Sequence, residues 1–366
     1  MTESVVVNLR VAAIVESAWH RVPGGVANST HHSVHAAADH ADIDVIGVHG
    51  WHRSPPAAGL EPVVETASIP LPRPVLYDLW HTMRRPRLQR WVGDVDVVHA
   101  PTAVVPPAGD AALVATVHDL AFLHAPSRST NRGGRLASRG FELARDEAAV
   151  VTVPSEVTKA ECVVAGIGAE RIRVVPWGCQ PVEVTDDDRA RVQERYDLPP
   201  TFVLWVGTLE PRKNLAGLVD AHRQIADTPL VVVGPDGWGD LQIESSERVR
   251  RLGPVPTADL AVFYDLATVF ALPSHAEGFG MPVLEAMAQG TAVVTSSGTA
   301  TEEVVGDAGI TVAPDDTDGL AAALSRLLAD DAERQRLGAA GRTRAAEFTW
   351  ERTGSLLAAA YREAAA

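Results

Sequence analysis

The chain has 366 residues, 46% hydrophobic and 22% charged, which is typical of a soluble globular protein and long enough for two α/β domains. Its formal net charge of −15 argues against a nucleic-acid-binding domain, so we expect no nucleic-acid partner and a local pocket for any anionic ligand. Two cysteines, no apolar run of bilayer length and no signal-like N-terminus predict a cytoplasmic protein without a disulfide framework.

The first half alternates short β-branched runs with helical stretches, the pattern of a parallel sheet covered by helices. A Gly24-Gly25 turn opens a predicted helix over 25–40, and Ser155 is the expected N-cap of another over 155–165. The polar, proline-flanked segment 179–200 is predicted to link this domain, residues 1–178, to a second one. The predicted strands are 5–14, 43–48, 95–99, 113–118, 148–153 and 172–175.

A second alternating series predicts a domain over 201–348, followed by a closing helix over 349–366. Two sheets of this kind in tandem predict a two-domain, doubly wound α/β fold. Ligands of such folds bind at the carboxyl ends of strands, here in the cleft between the domains. The predicted strands are 202–206, 230–233, 269–271 and 292–295, and the predicted helices are 215–225, 282–289, 320–328 and 332–348.

The segment LPSHAEGFGMPVLEAMAQG, residues 272–290, has the densest signal for a ligand site. A glycine-containing loop over 274–280 follows a predicted strand. Pro282 is expected at the first helical position, where its missing N–H costs nothing, and Gly290 at the helix end. Free backbone N–H groups and the positive end of the helix dipole favour a phosphate there.

Glu277 lies in this loop and Glu285 in the helix. Carboxylates at these positions are expected to accept hydrogen bonds from sugar or ribose hydroxyls. The alternative is that Glu285 caps the helix or pairs with a neighbouring arginine. The stretch EGFGMPVLEAMAQGTAVVTS, with seven residues between its glutamates, resembles the signature of the retaining glycosyltransferase family four. That family has the GT-B fold, in which two Rossmann-like doubly wound domains face a central cleft.

Further motifs resemble the same family, in the same order along the chain. VLWVGTLEPRKNL, residues 203–215, resembles the other donor-site element. TEEVVGDAGITVAPDDTDGLAAAL is also similar, as is FTWERTGSLLAAAYREA, whose last helix crosses back to the first domain in such proteins. The resemblance is strong from about Phe202 to the end and weaker before it.

The resemblance implies roles for the residues of the signature. Glu277 would bind a hydroxyl of the transferred sugar, and Glu285 the ribose hydroxyls. The loop of Gly278, Phe279 and Gly280 would lie against the sugar and the diphosphate.

Lys213, with Arg212 beside it, would neutralise the diphosphate as it leaves, and fixed cations stabilise the charge that develops there. Many relatives have an arginine where this chain has Thr208, so Arg212 is expected to supply that charge. The alternative, a solvated helix start, is disfavoured because cations oppose the helix dipole unless an anion is present.

In the first half, ATVHDLAFLH places His118 and Asp119 at the end of a predicted strand, where α/β sheets present functional side chains. A lone histidine is more often structural, but family members often have one at this point, near the donor sugar. Asp119 would orient the imidazole or cap the next segment. Gly24 and Gly25 resemble the family's first-domain glycine loop near the donor phosphates. The alternative, a dinucleotide site, lacks the G-x-G-x-x-G spacing.

The segment YDLWHTMRRPRLQRW, residues 77–91, is locally basic between Trp80 and Trp91. It predicts either a solvated helix pair, an anionic acceptor surface or peripheral contact with the inner face of the plasma membrane. Asp94-Val95-Asp96 resembles the metal-binding DxD of another glycosyltransferase fold, but it overlaps a predicted strand. We expect no metal.

Together these patterns predict a retaining hexosyltransferase, with mannosyltransferase as the leading expectation. GDP-mannose or UDP- or GDP-glucose is the expected donor, and a glycan or glycolipid the acceptor. The nucleotide-sugar is a substrate, and no cofactor is expected. The alternatives are a sugar-nucleotide epimerase of the same fold, which needs a further acid/base set, and a non-catalytic sugar-nucleotide-binding protein.

Overall fold

The computed structural model describes residues 8–20, 24–124, 131–225, 227–237 and 245–366. Contacts divide the chain into two compact units. The first unit contains the described residues up to Gly178 together with Thr349–Ala366, and the second contains Cys179–Phe348. The amino-terminal part of the first predicted strand, together with residues 21–23 beside the predicted glycine loop, lies outside the described residues.

Each unit is built on one parallel sheet. The order is β3-β2-β1-β4-β5-β6-β7 in the first unit and β10-β9-β8-β11-β12-β13 in the second. Both are therefore doubly wound, and the predicted α/β fold is confirmed. The strands are β1 (Leu9–Ile14), β2 (Ile43–Trp51), β3 (Thr66–Pro72), β4 (Val97–Ala100), β5 (Ala112–Thr116), β6 (Val150–Val153), β7 (Ile172–Val174), β8 (Val203–Val206), β9 (Leu230–Val233), β10 (Val249–Gly253), β11 (Val269–Leu272), β12 (Val293–Ser296) and β13 (Ile310–Val312).

Helices connect the strands and cover the sheets. The helices are α1 (Gly25–Ala38), α2 (Arg73–Met83), α3 (Gln89–Val92), α4 (Ala121–His124), α5 (Asn131–Glu147), α6 (Glu156–Val164), α7 (Asp186–Tyr196), α8 (Leu215–His222), α9 (Thr257–Leu266), α10 (Met281–Gln289), α11 (Ala300–Val305), α12 (Thr317–Ala329), α13 (Asp331–Ala345) and α14 (Trp350–Ala365).

The first sheet is buried on both faces. Successive side chains of a strand point to opposite faces, so Val11 of β1 joins the core cluster containing Tyr361, while Ala12 joins the cluster containing Trp80. Strands covered on both faces have nearly continuous apolar sequences, and β8 (VLWV) and β11 (VFAL) are buried throughout. This continuity is why the central strands were predictable from the sequence.

Three strands, β3, β10 and β13, were not predicted, and all three lie at sheet edges. The sequence of β3, TASIPLP, contains two prolines, which a strand accepts only where no neighbour needs the missing N–H. Strand β10 contains two arginines, and β13 has three residues. An edge strand needs only one pairing partner, so its sequence pattern is weak.

Helix α14 packs on α1 within the first unit. A Cβ added to Gly354 would come within 2.3 Å of the Ala36 carbonyl oxygen, so glycine permits the close approach of the two helices. His32 of α1 stacks on Trp350 of α14 with ring centroids 4.8 Å apart. Helix α14 is also joined to the segment after β7, because the Thr353 hydroxyl donates to the Pro176 carbonyl at 2.7 Å.

The predicted linker segment contains α7, which is attached to the second unit by ion pairs. Arg189 lies 2.6 Å from Asp265, and Arg191 lies 2.6 Å from Asp259 of α9. The side chain of Thr185 caps α7 in a reciprocal capping box. The predicted cap Ser155 is confirmed for α6, since its hydroxyl accepts the Thr158 N–H.

Trp80 does not belong to the surface of the segment 77–91, whichever partner that surface has. Its side chain is 0% exposed and belongs to the core, and its Nε1 donates to the Pro86 carbonyl at 3.0 Å. Arg84 is also used internally, since its guanidinium donates to the carbonyls of Trp80 and Val105. The other three arginines of the segment, Arg85, Arg87 and Arg90, are exposed to solvent.

Candidate active site

The carboxyl ends of β8 and β11 present the predicted donor-site loops of the second unit. After β8 the chain makes a short 3₁₀ turn, Pro211–Lys213, and Asn214 follows with φ of 51° and caps α8 by accepting the Gly217 N–H. The His275 N–H donates to the Arg212 carbonyl at 2.8 Å, which joins the loop after β8 to the loop after β11. Parallel strands end at the same edge, so distant segments meet here.

Glu277 is the centre of the charged cluster at this edge. Its Oε1 lies 2.7 Å from Lys213 Nζ and accepts the Ser274 hydroxyl at 2.9 Å, and its Oε2 lies 3.0 Å from an Arg212 nitrogen. Arg212 also donates to Glu210 at 2.8 Å and to the Ala276 carbonyl at 3.1 Å. The structure therefore brings three of the predicted site residues into direct contact.

This cluster holds Glu277 ionised. The Glu277 side chain is 8% exposed and that of Lys213 is 10% exposed. Burial would raise the pKa of Glu277, but the charges of Lys213 and Arg212 outweigh it and lower that pKa to about 2. Two acidic side chains, Glu210 and Glu277, contact the two cations Lys213 and Arg212, so the cluster as a whole is close to neutral.

The glycine loop before α10 is tightly constrained. Gly280 has φ of 105° and is the N-cap of α10, and a Cβ there would lie 2.6 Å from Thr301 Cγ2. Gly290 ends the helix with φ of 78°, as predicted. The helix begins at Met281, so Pro282 occupies its second position, one residue later than predicted, and its missing N–H still leaves no internal helix bond unmade.

Within this loop the side chain of Phe279 faces the interior. It is 2% exposed and makes an edge contact with Phe348, at a centroid distance of 5.9 Å. Its neighbours Gly278 and Gly280 are buried as well. The ring of Phe279 therefore packs inward and helps to fix the path of the loop, and its expected contact with a donor stays a prediction.

Glu285 of α10 has a different partner, Tyr264 of α9. The Tyr264 hydroxyl donates to Glu285 Oε2 at 2.8 Å. Burial raises the pKa of Glu285 to about 7, although the hydrogen bond from Tyr264 opposes this shift. The sequence left open an arginine as the partner of Glu285, whereas in the structure the described partner is the neutral hydroxyl of Tyr264.

Thr208 lies in the loop after β8, two residues beyond the end of that strand. A Cβ added to Gly237, in the loop after β9, would come within 2.9 Å of Thr208 Cγ2. A bridge pairs Leu209 with Asp236 in the same place. The half-buried threonine is therefore packed against the loop after β9, and its expected contact with a donor stays a prediction.

His118 lies in the first unit, just beyond β5. One ring nitrogen, Nε2, lies 2.7 Å from the Pro101 carbonyl oxygen, so it bears the proton, and the buried Nδ1 is left as an acceptor without a hydrogen-bond partner among the described residues. Burial lowers the pKa of His118, which keeps the ring neutral. Asp119 does not orient the ring in this structure: its Oδ1 accepts the Ala121 N–H at 3.1 Å and caps α4.

His118 and Gly24 both line a cavity of about 790 Å³, here called the first-unit cavity. Gly24 is the N-cap of α1 and Gly25 its first residue. A Cβ at either glycine would meet nothing within 4 Å, so the packing of the described chain does not itself require glycine there. The open space in front of the helix N-terminus is consistent with the predicted approach of a ligand.

Neither a metal-binding cluster nor a membrane-spanning helix is found within the described ranges. No group of three or more His, Cys, Asp or Glu side chains in them is placed to hold a metal ion. The side chain of Asp96 in the DxD-like segment accepts the Arg10 N–H at 2.8 Å. No helix within the same ranges combines the length and hydropathy that a bilayer crossing needs.

The sequence reasoning missed three residues that surround the predicted ones. Ser274 and Glu210 each hydrogen-bond a predicted residue, and both could have been found as polar side chains in the loops that end β11 and β8. Tyr264 had no such signal, because it lies within α9, whose sequence is apolar on several sides. Only the packing of α9 on α10 brings its hydroxyl to Glu285.

Family models match both halves of the chain. The family described as Glycosyl transferases group 1 matches residues 200–330, and Glycosyltransferase Family 4 matches residues 23–182. The O-antigen chain mannosyltransferase B of Escherichia coli is 32% identical over 298 residues, covering 76% of this chain and 78% of the relative. A D-inositol 3-phosphate glycosyltransferase of Acidothermus cellulolyticus is 31% identical over 373 residues, covering 89% and 82%.

Solved structures show the same fold. The sucrose-phosphate synthase of Thermosynechococcus elongatus superimposes with a TM-score of 0.75 at 22% identity, covering 97% of this chain and 98% of that one. Anabaena HepE, solved with UDP-glucose, gives a TM-score of 0.74 at 19% identity, covering 96% and 99%. The predicted GT-B fold is confirmed, and the chain belongs to the group 1, family 4 glycosyltransferases.

Proposed function

We propose that this glycosyltransferase moves a hexose from a nucleotide-diphosphate sugar to a glycan or glycolipid acceptor with retention of anomeric configuration. The observation that supports the donor class is the buried contact of Lys213 and Arg212 with Glu277 at the carboxyl edge of the second sheet. Mannose from GDP-mannose is the first choice, because an E. coli mannosyltransferase is among the relatives. Glucose from UDP- or GDP-glucose is the second.

The two cations suit a diphosphate leaving group. Breaking the bond to the sugar leaves negative charge on the diphosphate, and cations already fixed in place stabilise that charge without reorganising. Lys213 and Arg212 are held by Glu277 in advance, and Glu210 holds the other side of the guanidinium. The helix N-terminus at Gly280 adds its positive dipole end.

Glu277 has a second task in this proposal. An ionised carboxylate accepts hydrogen bonds only, so it suits the hydroxyls of the transferred sugar. Glu285 is assigned to the ribose hydroxyls, and its neutral form, favoured below a pKa of about 7, offers one acceptor fewer than the carboxylate. Ribose binding is therefore expected to favour the ionised form of Glu285.

Retention is proposed to proceed by front-face transfer. In that route the donor phosphate oxygen helps to remove the acceptor proton, and no enzymic nucleophile is required. The carboxylate of Glu277 is held by two cations at a pKa of about 2, which makes it a poor base and a poor nucleophile. The cytoplasmic location and a peripheral membrane contact stay predictions of the sequence.

The test is a thermal-shift screen of the purified chain with GDP, UDP, ADP and their sugar conjugates. A ligand at about 100 times its Kd adds roughly 2.7 kcal/mol to the free energy of unfolding. We expect one nucleotide family to stabilise the wild type and to lose most of that effect with Lys213→Ala. Lys159→Ala is the matched control, because Lys159 pairs with Glu156 on an exposed helix face.

Each result has a defined meaning. If no nucleotide stabilises the wild type at millimolar concentration, the proposed donor site is wrong. If a nucleotide binds but its sugar conjugate is not consumed in the presence of candidate acceptors, the non-catalytic alternative gains support. Interconversion of the conjugate with its epimer, detected by NMR, would favour the epimerase alternative.

A further inference from the structure

The first-unit cavity has a mainly apolar lining. It has a volume of about 790 Å³ and lies at the carboxyl edge of the first sheet. Aliphatic side chains in this lining, such as Val26 and Val104, do not hydrogen-bond hydroxyls, so sugar hydroxyls placed against them would lose hydrogen bonds to water. The apolar side chains of the lining include Val26, Pro74, Tyr77, Val104, Phe122 and Phe141.

Among the described residues of this lining, Arg73 is the one arginine or lysine. Arg73, the first residue of α2, is half-buried, and its NH1 donates to the Trp19 carbonyl at a long 3.4 Å. Among the residues that the structure describes, no carboxylate lies within ion-pairing distance of its guanidinium. A guanidinium in apolar surroundings attracts an anion strongly, because little water screens it.

The groups around Arg73 suit an anion as well. His20 lines the same cavity, and burial together with the charge of Arg73 lowers its pKa, so the ring is a neutral hydrogen-bond donor. Asp119 is the one carboxylate among the described lining residues, and it is already bonded to the Ala121 N–H. The N-terminus of α1, at Gly24, adds its positive dipole end to the same lining.

A purely polar phosphate ester would leave the apolar residues of this lining without a contact, and a neutral hydrocarbon would leave Arg73 without an anion. The apolar wall stabilises a ligand in proportion to the hydrocarbon area that it removes from water, roughly 25 cal/mol per Å². Arg73 and His20 require an anionic oxygen beside that hydrocarbon. A ligand that satisfies both has a phosphate joined to an apolar chain.

We propose that the first-unit cavity binds the acceptor, and that the acceptor is an amphiphile with a phosphate held by Arg73 and a hydrocarbon chain in contact with Val26 and Phe122. This rests on the proposed glycosyl transfer and specifies its acceptor class. The same anion chemistry is present in free phosphate and in small polar phosphate esters. The experiment therefore compares these sources directly.

The experiment is calorimetric titration of the full chain with geranyl phosphate, geraniol, glycerol phosphate and inorganic phosphate. We expect geranyl phosphate to bind at least about tenfold more tightly than each of the others, since it alone offers both an apolar chain and an anion. Arg73→Ala should weaken geranyl phosphate at least about tenfold, with little effect on geraniol. Val26→Asn, at a position 38% exposed, should weaken geranyl phosphate without affecting inorganic phosphate.

Arg145→Ala is the matched control, because Arg145 is an arginine of the same unit that lies 2.8 Å from Asp146 and is absent from the cavity lining. It should leave all four titrations unchanged. Equal affinity for glycerol phosphate and geranyl phosphate overturns the apolar part of the proposal. Unchanged geranyl phosphate binding in a folded Arg73→Ala protein overturns the role of the arginine.

The two proposals fail in different ways. GDP and UDP are titrated into the same Arg73→Ala protein to test the donor site, and urea unfolding of the variant shows whether its first unit is folded. If nucleotide binds and geranyl phosphate does not, the acceptor inference is wrong and the donor proposal stands. If neither nucleotide binds to the wild type, the glycosyl-transfer proposal is wrong whatever the geranyl phosphate result.

Discussion

The Nζ atom of Lys213 lies 2.7 Å from Oε1 of Glu277, and this ion pair joins two loops whose residues are 64 positions apart. Both side chains are about 10% exposed or less, so the pair is shielded from solvent. Truncating one partner of such a pair leaves the other charge buried and unpaired. Removing the charge of either side chain is therefore expected to destabilise the two loops that the pair joins.

Glu277→Gln should separate binding from transfer. The substitution keeps the shape of the side chain but removes the charge that holds Lys213 and Arg212, so both cations become available to a diphosphate. We expect GDP or UDP to bind as tightly as before or more tightly, while kcat falls at least about 100-fold because the sugar loses its ionised acceptor. Calorimetry and initial rates measure the two effects. A loss of nucleotide affinity with unchanged kcat contradicts this assignment.

Glu285 should make stability depend on pH in the neutral range. Its folded pKa of about 7 lies above the ordinary value of 4.5, so its contribution is fully present below pH 4.5 and is lost as the pH rises through 7. Glu285→Gln mimics the neutral carboxyl, and the wild type should lose on the order of 2 kcal/mol relative to it between pH 5 and pH 8. Urea unfolding at several pH values measures the difference. Parallel pH profiles of the two proteins would rule the raised pKa out.

Tyr264→Phe gives an independent check on the same group. The Tyr264 hydroxyl donates to Glu285, and this bond lowers the pKa that burial raises. Removing the hydroxyl should therefore move the pH-dependent loss of stability to higher pH. A shift to lower pH would contradict the hydrogen-bond direction.

His32 should weaken the first unit in acid. Burial, together with the nearby His31 and His35, lowers the pKa of His32 to about 4, below the ordinary value of 6.5. Stability from the neutral ring is thus fully present above pH 6.5 and is lost as the pH falls toward 4. His32→Phe keeps an aromatic ring against Trp350. On acidification to pH 4.5 this variant should lose about 1–2 kcal/mol less of its free energy of unfolding than the wild type, as measured by urea unfolding.

The reference for this prediction is the wild-type chain, unfolded in urea over the same pH range. Equal acid sensitivity of His32→Phe and the wild type would mean that other groups, such as the buried His99, dominate the acid response. The pKa of His99 is lowered to about 3 by burial, so its contribution to stability is also lost as the pH falls below 6.5.

Gly280→Ala should disturb the loop before α10 more than a comparable substitution elsewhere. Gly280 has φ of 105° and a Cβ there would lie 2.6 Å from Thr301, whereas Gly298 has φ of 71° and open space around it. We expect Gly298→Ala to cost about 1 kcal/mol from backbone strain alone, and Gly280→Ala to cost about 2–4 kcal/mol from strain and collision together. Urea unfolding ranks the two. Equal costs would show that the loop relaxes freely.

The local signals in the sequence were the ones that the structure reproduced. The cap Ser155 and the helix end Gly290 depend on the residue itself and its nearest neighbours, so a short stretch of sequence determines them. Central strands such as β8 and β11 were found because both faces are buried, which leaves a continuous apolar run. Edge strands such as β3 carried too little of that pattern.

The sequence by itself determined the central strands, the family, and the identity of Lys213 and Glu277 as candidates. The tertiary structure alone decided which partners those residues have: the contact with Ser274, and Tyr264 as the partner of Glu285. It also decided that Trp80 is buried. The physical reason is that propensity and capping act between near neighbours, whereas burial and pKa depend on groups that only packing brings together.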